Sequence, residues 1–161
     1  MIERSTKAAE RRELRLGAVA DLRREALALA EAERAGTLRM SGNWSLGQVF
    51  GHLATWIGFC FDGFPFKTAA PIRWIMRFRK NATLNGRMSA GIRIPGMAAG
   101  TMGTEPLSTE AGLARLLQEL DRLETTPPRH PSPLFGPLTH DEWTRLHLRH
   151  AELHLGFAHP G

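Results

Sequence analysis

Two short signals constrain this chain more than any other feature of its sequence. Ser45 with Gln48, and Thr139 with Glu142, each have the residue types and spacing of a capping box. In that motif a hydroxyl at the helix N-cap and a side chain three residues on each accept a hydrogen bond from the other's backbone N–H. A hydrophobic staple flanks each box, Trp44 with Val49 in the first and Leu138 with Trp143 in the second. The chain therefore states twice where a helix begins and at what angle the backbone enters it.

Apolar periodicity extends this reading. The second helix is predicted from Leu46 to Phe61, with Val49, His52, Leu53, Trp56, Phe59 and Cys60 on one side and Gly63 and Pro65 as the stop. The fourth runs from its box to Phe157. A first helix carries Val19, Leu22, Ala26 and Leu29 at steps of three and four, begins near Thr6 and ends at Gly36. A third carries Leu113, Leu116, Leu117, Leu120 and Leu123 after Ser108, and Pro127-Pro128 terminates it. No repeat or strand-period segment is visible. The expected fold is all-α, a four-helix bundle with a long crossover between helices two and three.

That crossover, residues 63–107, holds six of the 16 glycines. Pro71 to Lys80, with Trp74, Ile75 and Phe78, reads as a short amphipathic helix, and Gly91 to Gly103 as irregular. An ordered connection of this length usually crosses a bundle or covers a site. At 161 residues the whole chain, 1–161, is expected to form one domain, with residues 1–15 as a frayed end.

Charge is localised. Between Asp62 and Glu105 there is no acidic residue, while Lys67, Arg73, Arg77, Arg79, Lys80, Arg87 and Arg93 give seven positive charges; the remainder holds 14 basic and 16 acidic residues. No nucleic-acid motif accompanies the net charge of +5, so no nucleic-acid partner is expected. No apolar run reaches the roughly 18 residues of a membrane span, and no membrane partner is expected. Met1 to Gly17 lacks the apolar centre of a secretory leader, and Cys60 has no second cysteine to pair with. A cytoplasmic location is the expectation.

The histidines carry the functional reading. His52 points inward on the second helix, and His147, His150 and His154 project from the arc that carries Trp143, Leu146, Leu153 and Phe157 on the fourth. Residues four apart stack on one helix face about 6 Å apart, which lets His150 and His154 grip one ion. Several imidazoles in an apolar interior need hydrogen-bond partners or a cation. Spacing alone leaves both options open. The zinc-protease reading fails because Ala151 stands where that motif needs an acidic residue.

A resemblance sharpens the choice. Asn43-Trp44-Ser45 leading to Gly51-His52-Leu53 resembles the second-helix signature of the DinB-like, YfiT-like superfamily, and Leu146 to Leu155 is similar to its fourth-helix His-x-x-x-His. Phe135-Gly136-Pro137-Leu138-Thr139 followed by Trp143 resembles the branch called domain of unknown function 1569. The likeness covers Leu16 to Phe157. It implies a four-helix bundle with a long crossover and a zinc- or nickel-type site on His52, His150 and His154. His147 is extra to the pattern, as a fourth ligand, a support behind a ligand, or a packing residue.

Three neutral imidazoles leave open positions on an ion, as catalytic sites do. Superfamily members are often transferases or isomerases that use low-molecular-weight thiols. The resemblance thus implies a metal-dependent enzyme acting on a small electrophile with a thiol or water. Arg73, Arg77, Arg87 and Arg93 are the candidates for holding an anionic ligand. The opposing reading is a non-catalytic metal-binding or polyanion-binding helical module. A homodimer is plausible by resemblance.

Overall fold

The structure, a computed structural model, describes residues 10–91 and 100–161. In chain order the elements are α1 (Val19–Arg34), β1 (Leu38–Met40), α2 (Leu46–Asp62), α3 (Ala70–Asn85), α4 (Thr109–Thr125), α5 (His140–Leu155) and β2 (Ala158–Pro160). The described chain is mostly helical. Helices α1, α2, α4 and α5 occupy the four stretches where the apolar stripes predict them, and α3 lies in the crossover.

Both capping boxes form. Ser45 Oγ accepts from the Gln48 backbone N–H while Gln48 Oε1 accepts from the Ser45 N–H, and Thr139 with Glu142 repeats the exchange. Ser108 Oγ caps α4 by accepting from the Ala111 N–H.

Two expectations change. The first helix begins at Val19, not near Thr6, which itself lies outside the described residues. Asp21 Oδ2 accepts the N–H groups of Gly17 and Ala18 and starts the helix there. The residues before it are tied across the molecule instead of into a helix: the Arg12 N–H donates to the Gly156 carbonyl and the Leu16 N–H to Glu152 Oε1. The all-α expectation also misses a two-stranded antiparallel sheet that pairs Leu38 with Pro160 and Met40 with Ala158. Strands of three residues are too short to show a period of two.

The core is built by the predicted stripes. Leu22, Ala26 and Leu29 of α1, Phe50, Leu53 and Ile57 of α2, Leu116, Leu120 and Leu123 of α4, and Leu148, Ala151 and Leu155 of α5 are buried in one cluster. The packing of α2 against α4 and the residues that lead into it depends on two glycines. A Cβ on Gly47 would lie 2.2 Å from the Leu107 carbonyl oxygen, and one on Gly112 would lie 2.5 Å from the Gly47 carbonyl oxygen. Both obstacles are backbone atoms and cannot rotate away.

Gly112→Ala therefore tests the packing. Alanine gains roughly 0.8–1 kcal/mol of helix propensity over glycine, but overpacking a tight contact costs typically about 1–3 kcal/mol. The clash is expected to win, giving a lower urea midpoint at unchanged slope. A raised midpoint would show that α2 and α4 are not held this close.

Candidate metal centre

Helix α2 delivers His52 from one side and α5 delivers His150 and His154 from the other. His52 Nε2 and His154 Nε2 each lie 3.1 Å from His150 Nε2. One donor atom from each ring falls within 4.8 Å of the other two. Among the described residues this is the one group of His, Cys, Asp and Glu side chains placed to hold an ion.

The protonation states follow from a fourth contact. His52 Nδ1 lies 2.7 Å from the Met102 carbonyl oxygen, which can only accept, so Nδ1 carries the hydrogen. In the neutral ring Nε2 is then bare, and its lone pair faces the other two rings. His150 Nε2 has one hydrogen or one lone pair, yet it faces two nitrogens. At most one of those contacts can be a linear hydrogen bond. A cation accepts all three lone pairs at once: at Zn–N lengths of 2.0–2.1 Å, tetrahedral ligands stand about 3.3 Å apart, close to the two 3.1 Å separations from His150 Nε2. The residues fit a divalent ion.

Burial keeps the imidazoles neutral, as metal ligands must be. It lowers His52 to about 4, against the hydrogen bond that His52 donates to the Met102 carbonyl, which raises it. His150 is held well below its ordinary value by burial and then by His154, His52 and His147; His154 by burial and then by His52 and Arg11.

Indole rings bracket the site. Trp44 stacks on His154 with ring centroids 5.1 Å apart and planes at 13°, and Trp56 meets His150 edge-on at 5.6 Å. Sequence reasoning gave Trp44 only a staple role and Trp56 only a core face. Its place in the Asn43-Trp44-Ser45 motif was the available signal for Trp44; nothing local marks the Met102 carbonyl.

His147 is not drawn into the triad. It is buried, stacks on Trp143 at 5.4 Å and 14°, and is lowered to about 3 by burial alone. Its Nε2 has no hydrogen-bond partner among the described residues. Cys60 is a buried thiol that donates to the Ile57 carbonyl and is pushed up to about 12, chiefly by burial, which removes it from thiolate chemistry.

The triad opens on a cavity of about 930 Å³. Its walls are largely apolar, and the crossover contributes Phe64, Phe66, Met76 and residues 87–91. Of the candidate arginines, Arg87 lines the cavity; Arg73 and Arg77 are exposed on α3 and do not, and Arg93 lies outside the described residues. Arg79, which the sequence did not single out, lines it too. No Asp or Glu is among the lining residues, and neither Arg79 nor Arg87 pairs with a carboxylate among the described residues. Arg87 donates to the Arg11 carbonyl while Arg11 Nη1 donates to the Met88 carbonyl, closing the rim.

Comparison with known proteins gives one finding: the family described as "Protein of unknown function (DUF1569)" matches residues 8–161. No curated protein and no solved structure matches the chain.

The neutral histidines predict acid lability of the metal-free protein. His52 and His147 sit below the ordinary 6.5 in the fold, so the unfolded chain binds the extra protons. Their contribution is fully present above about pH 6.5 and is lost as the pH falls from there towards 4, by about 1.4 kcal/mol per pH unit for each extra proton bound by the unfolded chain. Denaturant melts across that window read the slope, and His147→Gln is expected to reduce it. A flat profile would show that these rings take up protons as readily in the fold as in the unfolded chain.

Proposed function

We propose, from the premise that the chain belongs to the DUF1569 family, that it is a metal-dependent enzyme acting on a small anionic ligand. The observation that carries this reading is the convergence of His52, His150 and His154 on one point with His150 Nε2 facing two nitrogens at once. We read the wider relationship as DinB-like, with α1, α2, α4 and α5 as a four-helix bundle and α3 as part of the crossover. A zinc or nickel ion held by the triad would supply Lewis acidity and a lowered pKa for a thiol or water.

The chain's own residues supply the rest. Met102 holds His52 in the tautomer that presents Nε2. Trp44 and Trp56 fix the ring planes and exclude water from that side. Arg79 and Arg87 give the cavity wall two cations with no carboxylate among the described residues to neutralise them, which suits a carboxylate-bearing thiol or substrate. The proposed reaction class is addition of a low-molecular-weight thiol to a small electrophile. Sulfur bonds to carbon, and the thiol hydrogen ends on the electrophile's heteroatom, so no oxidant or reductant is needed. His147, unpartnered beside the triad, is proposed as a support for the site and not as a ligand.

Metal analysis of untagged protein prepared without chelator is expected to find about one divalent ion per chain, lost in His150→Ala. Zinc or nickel at a hundredfold excess over Kd should stabilise the wild type by about 2.7 kcal/mol and leave the variant unmoved. Ion content that is low and insensitive to the substitution would reject the metal centre. If the ion is bound, consumption of a small thiol with an electrophile is expected to be saturable and metal-dependent. Arg87→Gln should raise KM for a carboxylate-bearing thiol more than for a neutral one. Absence of turnover across several thiols would reject the transferase chemistry and leave the ion site standing.

A further inference from the structure

Helix α3 is amphipathic in the wrong sense for a helix that only covers a core. Leu84, its one buried residue, and Lys80, whose Nζ lies 2.6 Å from Glu142 Oε1 on α5, define the face turned towards the protein. At about 100° per residue, Trp74, Ile75 and Phe78 fall on the other side. They are 65%, 55% and 75% exposed, and the rings of Trp74 and Phe78 meet edge-to-face with centroids 5.0 Å apart. Ile72 adds a further exposed apolar side chain. An aromatic ridge of this kind left in water marks an interaction surface.

The charge carried by the same helix says what covers the ridge. Arg73 and Arg77 are exposed on the same helix, towards the side that carries Lys80 and so off the ridge itself, and Lys67 lies just before it; none has a carboxylate partner among the described residues. No acidic residue occurs between Asp62 and Glu105 to offset them. A second copy pairing symmetrically through α3 would bring these like charges together, which opposes such a dimer. Trp, Phe and Ile flanked by Arg and Lys have the composition of a helix that lies in a bilayer interface, apolar side chains among the acyl chains and cations at the headgroups. Among the described residues no helix is long and apolar enough to cross a membrane, so the contact would be a surface one.

We propose that α3 docks the protein on an anionic lipid surface, in place of the expectation of no membrane partner. The proposal stands on α3 alone and is independent of the metal reading. Its consequence for the cavity is direct, because Met76, Arg79, Ala82 and Thr83 of the same helix line the cavity. One helix then presents its outer face to lipid and its inner flank to the ligand.

The test uses the full chain and vesicles of phosphatidylcholine, alone or mixed with phosphatidylglycerol. Trp74 is the most exposed site for an indole reporter, since Trp143 is buried and Trp44 and Trp56 are partly buried. Anionic vesicles are expected to sediment the protein, shift its fluorescence to the blue and protect it from acrylamide, with neutral vesicles and high salt giving little of each. Arg73→Gln/Arg77→Gln should weaken partitioning about 30-fold, from roughly 1 kcal/mol per basic residue. Trp74→Ser/Phe78→Ser should abolish it. These positions are exposed, so thermal melts of the variants should match the wild type; the wild-type comparison of the two vesicle types decides the matter even if they do not. Absence of binding to either vesicle, or equal binding to both, would overturn the proposal. So would a wild-type dimer in light scattering that Trp74→Ser/Phe78→Ser dissolves.

Discussion

Between Glu142 and Leu155 no residue of α5 is exposed, although that stretch includes His147, Arg149, His150, Glu152 and His154. Burying a helix with that many polar side chains is the constraint on which the rest of the structure depends. Each unsatisfied buried group costs about 1–3 kcal/mol, and a buried ion stripped of its partner more. The molecule answers differently on each side of the helix. Leu148, Ala151 and Leu155 meet the core. Arg149 and Glu152 pair with each other at 2.9 Å and clasp Leu16 between them, Arg149 donating to its carbonyl and Glu152 accepting from its N–H. The extended segment before α1 is thereby clamped on α5. On the third side the histidines face the cavity, and there the chain does not complete the satisfaction by itself.

That incompleteness is specific. A histidine that only packs normally finds a carbonyl or hydroxyl as its partner, as His140 Nε2 does with the Leu123 carbonyl and His159 Nε2 with Ser41 Oγ. His52 has such a partner for Nδ1 alone, and its other nitrogen meets two more of its own kind through His150. The bond to Met102 matters because it comes from the crossover, 50 residues along the chain from His52. The crossover thus sets the tautomer of a ring on α2 as well as forming a cavity wall. The reciprocal bonds between Arg11 and residues 87–88 tie another part of the cavity wall to the N-terminal segment.

What was legible in the sequence divides along the same line. Caps and apolar stripes act over three or four residues, so Ser45, Thr139 and the Leu stripe of α4 announced their helices without tertiary help. His150 and His154 share a helix face for the same local reason. That His52 joins them depended on a resemblance, since spacing within one helix says nothing about which helix lies opposite. Local pattern could not show the Met102 carbonyl, the stacking of Trp44 on His154, the clamp on Leu16, or the pairing of β1 with the chain's last residues. Each is a contact made only when distant segments meet. Helix α3 shows the converse limit: its apolar residues were visible, but periodicity cannot say whether such a stripe turns inward or outward, and here Trp74 and Phe78 turn outward.

Charge then connects the two faces of the crossover. Towards the cavity, Arg79 and Arg87, both exposed at its margin, share walls with four histidines that burial keeps neutral, and among the described residues no carboxylate lines the space. A divalent ion on the triad would make that interior more positive still. The species whose entry lowers the electrostatic energy is an anion, and the apolar walls favour one with a hydrocarbon or aromatic body over a bare inorganic ion. Outside, Arg73 and Arg77 confront the same problem in solvent and the aromatic ridge adds the same preference for an apolar body. On the proposed reading, the longest acid-free stretch of the chain would select for amphipathic, negatively charged matter on both of its sides, which is the physical reason to treat the basic crossover as a recognition element and not as a solvated loop.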